Sequence, residues 1–145
     1  MSPTPAQLEE ILETFREVDD PEEYFELLIE RGHALDELPP TERRADNRVP
    51  GCVSGVHITG RLEEGRVYFS ASADSHLVRG LVAILVEGLS GLRPEEILAV
   101  DPEVLKRAGL TRSLTPSRAN ASHNILQMMK EITRGLVATR ERQER

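Results

Sequence analysis

Residues 75–89 constrain the fold more than any other part of the chain. Asp74 or Ser75 can cap a helix there, and Leu77, Val78, Leu81, Val82, Ile84, Leu85, Val86 and Leu89 then surround its axis almost completely. A helix apolar nearly all round belongs in the middle of a core. Arg79 and Glu87 interrupt the segment, which is too short to span a bilayer. Gly80 lets another backbone approach it closely, and Ser90-Gly91 stops it.

The remaining elements must cover that helix. Thr4-Pro5 opens a first helix with Leu8, Ile11, Leu12, Phe15 and Val18 at helical spacing. Asp19-Asp20-Pro21 interrupts it and starts a second, with Asp20 as cap, Pro21 at the first helical position and Tyr24, Leu27, Leu28 and Leu35 on its apolar side. From Val53 the period changes to two: Val56, Ile58 and Leu62, a turn at Glu63-Glu64-Gly65, then Val67-Tyr68-Phe69. Ser70-Ala71-Ser72-Ala73 is too small-sided to show its buried face. Residues 94–100 and 102–108 read as short helices opened by proline, with Asp101 capping the second. Thr115-Pro116-Ser117 opens a last helix carrying Ile125, Met128, Met129, Ile132 and Leu136, and the polar residues 140–145 are expected to fray. The expected fold is α+β, one domain over 1–145, with a small antiparallel sheet packed against helices.

Charge and cysteine content narrow the function. The net charge of −7 is uneven: residues 1–40 carry 12 acidic side chains against Arg16 and Arg31 alone. An acidic first segment repels nucleic acid and anionic lipid, so neither is an expected partner. The opening residues lack a basic-then-apolar pattern, and a single cysteine suits a reducing compartment, so the expected location is cytoplasmic.

That cysteine, Cys52, ends a proline-rich and charged stretch, 36–52, which is expected to lack regular structure. Unpaired cysteines are most often small buried hydrophobes. Here the thiol stands at a loop-to-strand junction between Gly51 and Gly55, after Pro50, with Arg43, Arg44 and Arg48 close in sequence to favour a thiolate. One cysteine cannot hold an iron–sulfur cluster alone or run an internal redox pair. A zinc site from Cys52, His57, Asp74 and His76 matches no standard spacing. A hydrolase using His33, His57, His76 or His123 as base lacks an identifiable oxyanion hole. The residues favour a reactive thiol over a structural one and leave the zinc and hydrolase readings as weaker alternatives.

Residues 42–55, the run Asp74-Ser75-His76-Leu77-Val78-Arg79-Gly80-Leu81, and Leu114-Thr115-Pro116-Ser117-Arg118-Ala119-Asn120 resemble the SufE/CsdE sulfur acceptors. Asp19-Asp20-Pro21 and Pro94-Glu95-Glu96-Ile97-Leu98 fall in the family's order, so the resemblance covers nearly the whole chain. It implies a fold similar to that of the scaffold IscU and a protein that stimulates a pyridoxal-phosphate cysteine desulfurase of the SufS type without being a stand-alone catalyst. It places the sulfur-accepting thiol at Cys52, carried as a transient persulfide with no resident cofactor or metal, and makes a SufB-containing scaffold the recipient. Gly51 and Gly55 become hinges of the cysteine loop. Asp74, Arg118 and Arg48 become partner-facing residues, although Asp74 also reads as a helix cap and Arg118 as an ordinary first-turn residue. A homodimer is compatible with the sequence. The family usually reads Gly-Cys-Gln-Ser-Gln-Val-Trp where this chain has Gly51-Cys52-Val53-Ser54-Gly55-Val56-His57.

Overall fold

A computed structural model describes residues 4–52, 55–107, 109 and 120–144. At its centre lies α3 (His76–Leu89), whose Val78, Leu81, Val82, Ile84, Leu85 and Leu89 are all buried. Ser75 is its cap, with Oγ accepting from Val78 N at 3.4 Å; Asp74 stands one residue too early and is exposed. α1 (Ala6–Arg16) and α2 (Pro21–His33) pack against α3, burying Leu8, Ile11, Leu12 and Phe15 from the first and Tyr24 and Leu28 from the second. Val18 and Leu35, expected on these helices, lie beyond their ends. Asp20 Oδ1 accepts from Glu22 N at 3.2 Å, so the cap-and-proline signal starts α2 where expected. Gly32 does not end α2 early. A side chain there would lie 3.0 Å from Gly80 N, and one at Gly80 would collide with the Leu28 carbonyl. The two helices therefore meet backbone against backbone.

The period-two segment forms one antiparallel hairpin, β1 (Val56–Glu63) and β2 (Arg66–Ala73), in register from Val56↔Ala73 to Glu63↔Arg66. Glu64 (φ 51°) and Gly65 (φ 79°) form its two-residue turn, the positive pair that matches the strands' own twist. Val56, Ile58, Val67, Phe69, Ala71 and Ala73 fill the core side, and Ser72 is buried as well. Two strands alone are marginal in water. Here β2 lies on α3, and single-residue bridges extend the ladder on both edges: Arg48 to His57 outside β1, Glu37 to Ala71 and Leu92 to Val67 outside β2.

α4 (Pro94–Leu98) and α5 (Glu103–Arg107) are shorter than their proline-opened segments predict. Asp101 caps α5, accepting from Glu103 N at 3.0 Å. The last described helix, α6 (Ala121–Gln143), lies against β1, and buried Lys130 ties it to the α4–α5 connection with Nζ 2.5 Å from the Val100 carbonyl. The helix continues through residues 140–143, where the sequence suggests fraying; Arg140 and Arg142 in its last turn complement the helix dipole. The expected opening of this helix at residues 115–117 lies outside the described residues. Among the described residues no helix is long and apolar enough to cross a membrane.

Candidate functional site

The stretch 36–52 holds two short 3-10 turns, Pro40–Glu42 and Ala45–Asn47, and is pinned at several points. Leu38 is buried, and its N–H donates to the Ala71 carbonyl at 2.9 Å. Asn47 is buried and closes the second turn: Nδ2 donates to the Glu42 carbonyl at 2.8 Å, and Oδ1 accepts from Arg44 N at 2.9 Å. Glu37 joins Arg79 of α3 at 2.5 Å and Arg43 at 3.4 Å, and Arg79 also donates to the Ala73 carbonyl. From residue 36 to residue 49 the stretch is a support tied to β2 and α3.

It ends in a stem. Val49 N donates to the Val56 carbonyl at 2.8 Å beside the Arg48–His57 bridge, and Val49 (1% exposed) and Val56 (0%) are both sunk in the core. Cys52 is therefore carried on a six-residue crossing, 50–55, between two buried anchors. Its side chain is half-buried and packs against the core edge. Burial pushes the thiol above its ordinary value, while a hydrogen bond from Asn124 and the positive charge of Arg48 act in the opposite direction. Burial has the larger effect, so at neutral pH the sheltered sulfur is held mainly as the thiol. Of the three arginines close in sequence only Arg48 acts on the thiol: Arg43 turns to Leu38 O and Glu37, and Arg44 pairs with Asp46 at the surface.

The glycines on either side have different reasons. Gly51 has φ +77°, and a methyl group there would lie 3.1 Å from Asn124 Nδ2. Gly55 has no such backbone. A methyl group there would run into the Asp74 carboxylate, and Asp74 N donates to the Gly55 carbonyl at 3.0 Å. The structure thus brings Cys52, Gly51, Gly55, Arg48 and Asp74 together at one end of the hairpin. Arg118 lies outside the described residues. Asn124, in the first turn of α6, completes the set; nothing in its sequence context marks it, because its proximity to Cys52 arises only when α6 packs on β1. Among the described residues no three His, Cys, Asp or Glu side chains are placed to hold a metal ion, and His76 instead sets its ring edge-on to His33 at 6.4 Å.

Residues 9–133 match the family described as the SufE Fe-S metabolism associated domain. The chain belongs to the SufE family. Its relatives include an uncharacterized SufE-like protein of Synechocystis sp., 44% identical over 126 residues, which are 87% of this chain and 79% of that one. The SufE-like protein 1, chloroplastic/mitochondrial, of Arabidopsis thaliana is 39% identical over 88% of this chain, which spans only 34% of that longer protein. Among solved structures, a hypothetical protein of Thermus thermophilus superposes with a TM-score of 0.79 at 26% identity, covering 95% of this chain and 99% of that one. Membership of the SufE family connects the chain with iron–sulfur metabolism.

Proposed function

We propose that this SufE-family protein is a sulfur carrier: Cys52 accepts persulfide sulfur from a cysteine desulfurase and relays it to an iron–sulfur assembly scaffold. The observation that supports this best is the placement of the chain's single cysteine on a short crossing between buried anchors, half-sheltered, with a hydrogen-bond donor and a cation acting on its sulfur.

In the accepting step the Cys52 thiolate attacks the terminal sulfur of the partner's persulfide. A new Sγ–S bond forms, the partner's own S–S bond breaks, and its cysteine leaves as a thiolate; the exchange needs no outside oxidant or reductant. Delivery repeats the exchange with the carrier as donor. The rate depends on thiolate fraction and access. Burial is the main effect holding the proton on Cys52, so an outward swing of 50–55 on docking both exposes the sulfur and removes that effect. Gly51, already in the left-handed region, and Gly55 bound the moving part. Docking uses the 42–55 stretch with Arg48, Asp74 and Arg118.

The test is mass spectrometry after incubation with a SufS-type desulfurase and free cysteine. The native chain gains about 32 Da on Cys52, the signature of one persulfide sulfur, and Cys52→Ser gains none. A desulfurase that speeds up while Cys52 gains no mass would mean a non-catalytic adaptor in place of a carrier.

A further inference from the structure

We propose that Asn124 is a working member of the thiol site: its side-chain amide donates a hydrogen bond to the Cys52 sulfur and favours the anionic sulfur within the sheltered pose. Its role in sulfur transfer rests on the carrier reading above, but its effect on the thiol does not.

The geometry is specific. Asn124 stands in the first turn of α6, its own N–H bonded to the Asn120 carbonyl at 3.0 Å, so its position is set by a helix and not by the cysteine loop. Its amide nitrogen is the nearest atom to the space beside Gly51, 3.1 Å from where a methyl group would sit, while its carbonyl oxygen is 4.0 Å away. The donor end therefore faces the turn that carries Cys52. Gly51 has a left-handed backbone and no side chain, which leaves the space beside the turn open to the amide. An amide that donates to sulfur interacts more strongly with the anion than with the neutral thiol, since charge-assisted bonds are roughly twice as strong as neutral ones. In a pocket where burial opposes ionisation, Asn124 and Arg48 are the two groups acting in favour of it. Arg48 is exposed and screened by water and salt; Asn124 is half-buried, with its amide nitrogen beside the Gly51 turn that carries the reacting atom. The same donor would steady a persulfide anion on Cys52, and it must let go when the crossing swings out.

With one cysteine in the chain, alkylation by iodoacetamide reports Cys52 alone. The rate is followed against pH on the free protein, without a desulfurase, for the native chain and for Asn124→Leu, which keeps similar bulk and removes the donor. The expected result is an alkylation midpoint moved up by about one pH unit, a roughly tenfold smaller thiolate fraction near neutrality, with unchanged helical circular dichroism. Asn124→Ala removes the donor without adding bulk and is expected to move in the same direction, which keeps the test open if the leucine variant does not fold. A folded variant of either kind whose midpoint stays at or below the native one overturns the inference. A shifted midpoint together with no mass gain on native Cys52 would instead sink the carrier reading and leave the role of Asn124 in thiol ionisation standing.

Discussion

Cys52 is a thiol under opposed effects, and the sign of their sum is testable. Its folded ionisation lies above its ordinary value because burial outweighs Asn124 and Arg48. The folded state therefore binds a proton more tightly than the unfolded chain does. Stability is intact below the ordinary thiol value of about 8.5 and is lost as pH rises from there through the raised folded value. Buried Lys130, whose ammonium is disfavoured mainly by burial, gives the opposite slope at high pH, so the native chain must be compared with Cys52→Ser. Denaturant unfolding from pH 7 upward should show the native chain losing more stability than the variant. Parallel curves would mean that the folded thiol is not buried enough to matter. The neighbouring Gly55 makes a second residue-scale prediction. Its close contact is the movable end of Asp74, so Gly55→Ala should keep the fold and push the carboxylate aside. If Asp74 takes part in docking, Gly55→Ala and Asp74→Ala each weaken desulfurase binding, and the double variant is no worse than Asp74→Ala alone. Additive losses, measured by titration calorimetry, would separate the two residues.

At the scale of elements, what was legible in the sequence was what local chemistry decides. Asp20-Pro21 starts α2, the all-apolar 75–89 run becomes the buried α3, and Glu64-Gly65 closes the hairpin, because each signal acts within a few residues. The sequence leaves the cap of α3 open between Asp74 and Ser75, and the hydrogen bond from Val78 N to Ser75 Oγ gives it to Ser75. The buried side of 70–73 was not legible, since small side chains carry no pattern and packing against α3 sets it. For the same reason the sequence offers Cys52 as a candidate but does not point to Asn124: the two lie far apart in the chain, and Asn124 comes near the cysteine turn only because α6 packs on β1. Helix glycines sort in the same way. Gly80→Ala drives a methyl group into the Leu28 backbone, and overpacking of this kind costs about 1–3 kcal/mol, outweighing the helix propensity gained. Gly135→Ala in α6 has open space around it and should stabilise by about 0.5–1 kcal/mol. Urea midpoints moving in the same direction for both would refute the backbone contact between α2 and α3.

For the whole molecule the carrier reading raises the question of how much of it must move to deliver sulfur. The support formed by 36–49 is tied to β2 and α3 through Leu38, Glu37 and Arg79, and the stem at Val49 and Val56 is closed by the hydrogen bond between them. Cys52 is three residue steps from Val49, and at about 3.3–3.6 Å each even a fully extended chain carries the Cys52 Cα only about 10 Å from that anchor. On the carrier reading, Cys52 cannot reach deep into a partner on a long arm. A desulfurase that hands sulfur to Cys52, as proposed, would have to close over this end of the hairpin, so its footprint should include the stem and the exposed Asp74. Hydrogen exchange on the complex tests this. Docking should alter exchange within 50–55 and around Asp74, while the Val49 amide, bonded to Val56, and the ladder of β1 and β2 stay as protected as in the free protein. Loss of protection at Val49 would mean that the stem opens and the arm lengthens. Sulfur transfer would then require part of the core to loosen, and variants that weaken the Val49 and Val56 packing would accept sulfur faster than the native chain. With a closed stem the same variants gain nothing, because the distance to be crossed is set by the six residues of the crossing and not by the strength of its anchors.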